Sequence, residues 1–248
     1  MAAPVAPPVR VRWGIPDVVL AWLAGLIGAV VVTAVAVAVL GVPENDISDD
    51  IGVLLAGLLG QNAAVIGVLA LIATTKGARV VGAAWWATLR RNFGLEVHVG
   101  DAGWLAAGVG LQIALSLALA PIAHVYGRNE PQSVVDSLDD ASGIGLALFV
   151  VAVVAVAPVA EELLFRGALL RALLRRTTPA WAVFASAFAF AAVHPLGDPS
   201  VGSLIAVPAL LGVGLVSGYL AVRSGTLSRS ILLHAGFNLL TIIGILAG

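Results

Sequence analysis

Long apolar stretches separated by short polar ones set the pattern of this 248-residue chain. A helix needs about 20 apolar residues to cross a bilayer, because each residue adds only about 1.5 Å of length. Seven stretches come close to that length, the fifth being the shortest, and an eighth helical segment is left open. The pattern predicts an all-α, polytopic membrane helix bundle with spans at Val18–Val42, Ile51–Thr74, Ala102–Tyr126, Gly143–Leu164, Ala180–Val193, Val201–Val222 and Ile231–Ala247.

The overall composition agrees with a membrane protein. Apolar residues make up 60% of the chain and charged residues 11%. A soluble domain carries about 25% charged residues, so this chain lacks the charge to cover a water-facing surface. The net charge of −1 provides no basic patch for nucleic acid, and the expected surroundings are the lipid bilayer of a plasma or inner membrane. The absence of cysteine excludes disulfides, thiolate metal ligands and a cysteine nucleophile.

The basic residues are distributed unevenly between the two sides of the predicted membrane. If the N-terminus is inside and the spans alternate, all 13 Lys and Arg residues except Arg128 fall on the inner side. The outer loops instead collect acidic residues such as Glu44, Asp49 and Asp136. Because loops rich in Lys and Arg stay in the cytoplasm, the sequence predicts an N-in, C-out topology with an odd number of spans.

The chain divides into three regions by composition. The first apolar run follows Arg10 and Arg12 but exceeds the 7–15 or so residues of a signal-peptide core, so we expect a retained anchor. In the inner loop Lys76–Asp101, Trp85 and Trp86 stand near arginines, which is typical of an interfacial segment. We expect an N-terminal tail at 1–17, N-terminal transmembrane helices and loops at 18–142, and a core that carries the candidate chemistry at 143–247.

Two adjacent glutamates, Glu161 and Glu162, lie in an otherwise apolar stretch. An acidic residue at a helix centre costs about 2.5–3.5 kcal/mol on insertion, so such a residue is a functional-site hypothesis by default. Glu162 and Arg166 are spaced i, i+4 with the acid first, the favourable order for an ion pair, whereas Glu161 points about 100° away. We therefore expect Glu161 to be the working carboxylate. Pro158, one turn earlier, is expected to loosen the helix and free a carbonyl.

Helix lengths place further polar residues at the depth of Glu161. Glu161 and His194 are each about 16 residues from the turn between spans four and five, so each lies about 25 Å along its helix from that turn. His234 lies about 12 Å beyond the next inner turn, and Asn238, on the same face, about 18 Å. The sequence predicts that these side chains converge on one layer, closer to the inner face.

A carboxylate, two imidazoles and an amide around a wet pocket suggest hydrolysis. The carboxylate can take a proton from water, and the imidazole and amide can donate hydrogen bonds to a developing oxyanion. Alternatively, Glu161, His194 and His234 are the residue types of a His₂Glu zinc site with one open position. The residues alone leave the cofactor open between none and a divalent metal such as Zn²⁺, although the chain contains no H-E-x-x-H sequence.

Three short sequences resemble the motifs E-E-x-x-x-R, F-x-x-x-H and H-x-x-x-N/B of the CPBP family of intramembrane proteases, which includes the type II CAAX prenyl endopeptidase. They are EELLFR (Glu161–Arg166), FAAVH (Phe190–His194) and HAGFN (His234–Asn238). The resemblance covers about Gly143 to Ala247. It implies a conical cavity open to the cytoplasmic side and hydrolysis of a peptide bond.

The resemblance also implies roles for single residues. Glu161 and His194 would activate the water, while His234 and Asn238 would form the oxyanion hole. Glu162, Arg166 and Phe190 would support them. The family is often labelled metalloprotease, yet its structural view favours a glutamate mechanism without metal. The implied partner is a peptide or protein substrate at the membrane, lipidated or not.

Two other functions fit the same buried residues. A transporter or proton relay would use Glu161 and the histidines to move protons, but it predicts inverted repeats, and the chain shows no such symmetry. An inactive membrane scaffold would keep the motifs for stability alone. The sequence thus predicts an intramembrane endopeptidase, with these two as alternatives.

Overall fold

The computed structural model describes residues 12–78, 85–126, 143–196 and 201–247. Throughout these ranges the regular structure is helical, and seven helices are long and apolar enough to cross a membrane. The predicted all-α bundle with seven spans is confirmed. The predicted N-in orientation stays a prediction.

The described ranges contain eight helices, which we number in chain order. Short 3₁₀ turns at Glu44–Asp46, Val99–Asp101 and His194–Leu196 lie next to them. The helices are α1 Ile15–Leu40, α2 Ile51–Lys76, α3 Trp85–Phe93, α4 Gly103–Tyr126, α5 Gly143–Leu173, α6 Pro179–Val193, α7 Val201–Ser224 and α8 Ser228–Leu246.

The largest difference from the predicted bounds is at the end of α5, which continues past Leu164 to Leu173. Arg166, just past the predicted end, is buried and paired inside the bundle, so its charge does not end the span. α1 and α8 each begin three residues earlier than predicted. α1 begins at Ile15 because Pro16 suits the first turn of a helix and Asp17 accepts a hydrogen bond from the Gly14 N–H at 2.9 Å.

α5 is the central helix of the bundle. α1 and α2 pack along each other, as do α4 and α8, and α6 and α7. α5 contacts α1, α2, α3, α6, α7 and α8. Its side chains therefore face several partners at once, which explains how charged residues on α5 can be removed from lipid.

Two glycines set the distance between α4 and α8. A Cβ added to Gly108 of α4 would overlap the carbonyl of Leu233, and one added to Gly236 of α8 would overlap the carbonyl of Leu105. Small residues at such crossings let two backbones approach closely. Because Gly236 stands between His234 and Asn238, this contact also fixes which way those two side chains face.

The C-terminal end of α5 is tied to α3 and to the segment before α1. Trp13 is fully buried against Phe93, with ring centroids 4.8 Å apart, and its indole N–H donates to the Ala168 carbonyl at 3.2 Å. Arg171 donates to the carbonyls of Asn92 at 3.0 Å and Gly225 at 2.9 Å. These bonds hold α3, which lies in the predicted interfacial loop, against the helix that carries the two glutamates.

Candidate active site

The backbone of α5 is irregular on both sides of the glutamates. Residues Ala152–Val156 and Leu163–Leu170 form π-helical turns, with an α-helical turn at Ala157–Glu162 between them. The Ala157 N–H bonds to the Ala152 carbonyl, and Pro158 has no N–H to offer. The Val153 carbonyl instead accepts a hydrogen bond from the Asn238 side-chain amide at 3.0 Å. Asn238 therefore bonds a carbonyl five residues before Pro158, while the predicted effect of Pro158 on the helix stays a prediction.

Glu162 is completely buried and contacts two cationic or ionisable partners. Its Oε1 lies 3.1 Å from Arg166 Nη1, which is the ion pair that the i, i+4 spacing predicts. The same oxygen accepts from Nδ1 of His234 at 3.1 Å. The sequence missed this second contact because it joins residues on different helices. Glu162 therefore both neutralises Arg166 and orients His234.

Arg166 is held on its other sides by the backbone and by an aromatic ring. Its Nη2 donates to the Gly214 carbonyl of α7 at 3.1 Å, and its guanidinium lies 4.6 Å from the centroid of the Phe190 ring. A buried charge is tolerated only when it is paired and hydrogen-bonded. Arg166 has an ion pair with Glu162 and one hydrogen bond to Gly214, whereas its Nε and Nη1 are buried without a hydrogen-bond partner among the described residues.

Glu161 points in a different direction from Glu162, as helical geometry predicts. Its side chain is 27% exposed, whereas that of Glu162 is 0% exposed, and it lines a cavity. Glu161 Oε2 lies 3.5 Å from Nε2 of His234. His234 thus stands between the two carboxylates, with one ring nitrogen toward each.

His194 follows the last residue of α6 and is oriented by its own helix. Its Nδ1 lies 2.6 Å from the Phe190 carbonyl. A carbonyl oxygen only accepts, so Nδ1 carries the hydrogen and Nε2 is left as an acceptor. The Phe190 ring packs edge-on against both His194 and His234, at 4.6 and 5.4 Å between centroids. Phe190 therefore acts as the spacer between the two imidazoles.

One cavity of about 590 Å³ brings the four predicted catalytic side chains together: it is lined by Glu161, His194, His234 and Asn238. Further polar residues line it that the sequence analysis did not single out, namely Gln112, Ser116, Ser203 and Thr241. Gln112 donates to the Thr241 hydroxyl at 3.0 Å. Thr241 lies one helical turn after Asn238, so the sequence spacing could have predicted that both residues face the same cavity. Gln112 and Ser116 on α4 belong to no motif.

A second cavity, of about 330 Å³, is formed by residues of α1, α2, α5 and the end of α6. Glu161 and His194 line this cavity as well as the larger one. The two residues therefore lie where the two cavities adjoin.

The residues were also tested as a metal site. Among the described residues, no three His, Cys, Asp or Glu side chains are arranged to hold one metal ion. Glu161, His194 and His234 share a cavity, and each histidine turns Nδ1 to Glu162 or to a backbone carbonyl, a contact that metal-ligating histidines also make. Because the three side chains are not grouped as ligands of one ion, the reaction proposed for this protein uses protein side chains alone.

A comparison with protein families identifies the part of the chain that holds this site. The family model described as type II CAAX prenyl endopeptidase Rce1-like matches residues 143–240. This segment is Rce1-like. The matched segment runs from the start of α5 into α8 and contains all seven motif residues, so the resemblance to the CPBP family is confirmed. Comparisons with curated proteins and with solved structures found no match.

The Rce1-like match bears on the class of activity. The family implies protease activity of the intramembrane CAAX type, with a peptide or protein substrate at the membrane. With seven apolar helices, the chain is an integral membrane protein. Helices α1 to α4 precede the matched segment, so what they contribute to the site has to be argued from their contacts alone.

Proposed function

We propose that this protein is a glutamate-dependent intramembrane endopeptidase that cleaves a membrane-associated or lipidated substrate near its C-terminus. Glu161 and His194 activate the water, and His234 and Asn238 stabilise the oxyanion. Glu162, Arg166 and Phe190 hold these groups in place. The observation that carries the proposal is the convergence of Glu161, His194, His234 and Asn238 on one cavity within the Rce1-like segment.

The charges around His234 support its role as a hydrogen-bond donor. Both of its ring nitrogens face carboxylate oxygens, which only accept, so both are satisfied when both carry hydrogens. Arg166 pairs with Glu162 in the same group, which avoids the large cost of an unpaired charge in a low-dielectric interior. At 3.5 Å, the contact with Glu161 is longer than a good hydrogen bond, which leaves Nε2–H available to a substrate.

The reaction then follows from these positions. Glu161 takes one proton from water while His194 Nε2 accepts a hydrogen bond from the other water hydrogen. The oxygen forms a bond to the scissile carbonyl carbon, and the negative charge on the carbonyl oxygen is met by His234 Nε2–H and Asn238 Nδ2–H. One amide hydrogen of Asn238 bonds Val153, so the second is free for this purpose. When the C–N bond breaks, Glu161 returns its proton to the leaving amine.

The orientation of the site is part of the same proposal. With the N-terminus inside, all Lys and Arg residues except Arg128 fall on the cytoplasmic side, and this distribution supports a larger cavity nearer that side. A substrate anchored to the cytoplasmic leaflet would then reach Glu161 without crossing the bilayer.

The function is tested on the purified protein in lipid bilayers. Peptides that end in a prenylated cysteine motif, and the same peptides without the prenyl group, are incubated with the protein, and products are identified by mass spectrometry. We expect release of a short C-terminal peptide, lost in His194→Ala and kept in a control variant of an exposed acid, Glu44→Gln. Activity abolished by a chelator and restored by Zn²⁺ would contradict the metal-independent step, and no cleavage of any peptide would contradict the function.

A further inference from the structure

Helices outside the Rce1-like segment supply nearly half of the residues that line the second cavity of about 330 Å³. α1 and α2 supply apolar side chains to it, including Trp22, Leu26, Leu58 and Val65. Leu164 and Phe165 of α5 and Val193 of α6 complete the apolar wall. The chamber is therefore a feature that the N-terminal helices add to the site.

The lining of this cavity selects what it can hold. Apart from Glu161 and His194, its polar residues are Gln61 and Asn62, and Asn62 uses its amide to bond the Leu58 carbonyl at 2.9 Å. An ordered water needs two to four polar partners, so most of this wall gives water little to bind. An apolar group gains about 25 cal/mol for each Å² of apolar surface removed from water. Away from Glu161 and His194, a charged group would lose its hydration without finding a charged partner.

The position of the cavity relative to Glu161 and His194 determines which part of a substrate can enter it. Glu161 and His194 line both this cavity and the larger one, which His234 and Asn238 also line. A scissile carbonyl that lies against His234 and Asn238 must also lie within hydrogen-bond reach of the water held by Glu161. The residues on the two sides of the scissile bond then point toward different chambers.

We propose that the α1–α2 cavity is a specificity subsite that takes the uncharged, apolar side chain of a substrate residue next to the scissile bond. This inference rests on the proposed function. Gln61 is the amide that would contact the backbone of that residue, and Leu58 sets the depth of the pocket. Substrate choice at this position is thereby controlled by helices that carry none of the motif residues.

The test compares peptides with Leu or Ala at each position flanking the scissile bond. A few methyl groups in an apolar pocket change kcat/KM by about 10- to 200-fold, so we expect the wild type to prefer Leu at one position by at least about tenfold. Leu58→Trp fills the cavity and is expected to reduce that preference to about twofold or less. Leu59→Trp, on the exposed face of the same helix, is the matched control and keeps the preference.

The proposal is overturned if Leu58→Trp lowers kcat/KM equally for all peptides, because the cavity then serves only stability. It is also overturned if the effect of Leu58→Trp depends on the acyl-chain length of the bilayer lipids and not on the peptide, because the cavity then holds lipid. If Leu58→Trp fails to fold, Leu58→Ala replaces it. This enlargement is expected to shift the preference from Leu toward Phe, and an unchanged preference contradicts the proposal.

A binding experiment separates this inference from the proposed function. Glu161→Gln protein is irradiated with a peptide that carries a photoreactive leucine next to the scissile bond, and the attachment site is mapped by mass spectrometry. Attachment within 22–26 or 58–65 supports the subsite. Attachment confined to α4, α7 or α8 refutes it and leaves the protease function intact, whereas a wild type that cleaves no peptide refutes both.

Discussion

The carboxylate of Glu162 accepts a hydrogen bond from Nδ1 of His234, 72 residues later in the chain, at 3.1 Å. The same oxygen faces Arg166 at 3.1 Å. The second glutamate of the pair is therefore more than a neutralised neighbour. It fixes which nitrogen of His234 is turned toward Glu161 and the cavity, as hydrogen-bonded carboxylates do for other functional histidines.

Removing the charge of Glu162 should affect stability and activity separately. Glu162→Gln leaves Arg166 buried without a counter-charge, which costs about 3–5 kcal/mol and lowers the unfolding temperature in detergent. Glu162→Gln/Arg166→Met removes both charges and should recover most of that stability. Activity should stay low in both variants because His234 has lost its orienting carboxylate. Recovery of activity together with stability in the double variant would show that Glu162 is purely structural.

The bond between Asn238 and the Val153 carbonyl can be separated from catalysis in a similar way. Asn238→Leu leaves a buried carbonyl unpaired, at a cost of about 1–3 kcal/mol, and removes an oxyanion donor worth about 10²–10³ in kcat. In a Pro158→Ala background a backbone N–H is restored, so the same change should cost less stability but as much activity. Thermal unfolding and peptide cleavage of the four proteins measure both. An equal stability cost in the two backgrounds would contradict the link between Pro158 and Asn238.

The close contact between α4 and α8 is tested by adding single methyl groups. Gly108→Ala and Gly236→Ala each place a Cβ against the backbone of the other helix, so both should lower the unfolding temperature and displace His234. Gly110→Ala and Gly244→Ala are matched controls on the same two helices, where a Cβ meets open space. The controls should be neutral or stabilising by up to about 1 kcal/mol, because Ala favours helix over Gly. Equal behaviour of all four variants would argue against the close crossing.

The topology can be checked with reporters at both ends of the chain. Seven spans with the N-terminus inside place the C-terminus on the outer side, so a reporter active only in the cytoplasm should fail when fused after Gly248. The same reporter before Met1 should be active and serves as the control. Cytoplasmic activity of the C-terminal fusion would reverse the proposed orientation of the cavity.

Distances along helices were predictable from the sequence, whereas side-chain partners between helices were only partly so. The common depth of Glu161 and His194 followed from a fixed rise per residue, and the two residues do line the same cavity. The contact of Glu162 with His234 did not follow, because it depends on the rotation of α8, which is set by Gly236 against α4. The π-helical turns of α5 also change the angular spacing along the helix.

Some site residues carried no usable signal in the sequence. Gln112 lies on α4 and Gln61 on α2, both before the Rce1-like segment, and a single amide in an apolar helix reads as a contact between helices. Only the packing of α1, α2 and α4 around α5 shows that these amides line the two cavities.

The predicted division of the chain into an N-terminal region ending at residue 142 and a core beginning at residue 143 stays a prediction.

The most direct test of the account compares two isosteric changes at adjacent positions. Glu161→Gln removes the proposed base from a partly exposed side chain, so it should fold like the wild type, bind peptide, and lose about 10²–10⁴ in kcat. Glu162→Gln should instead lose stability first. The measurement is kcat for a cleaved peptide, compared between the two variants at equal amounts of folded protein in bilayers. Full activity in well-folded Glu161→Gln would contradict the central claim that this carboxylate activates the water.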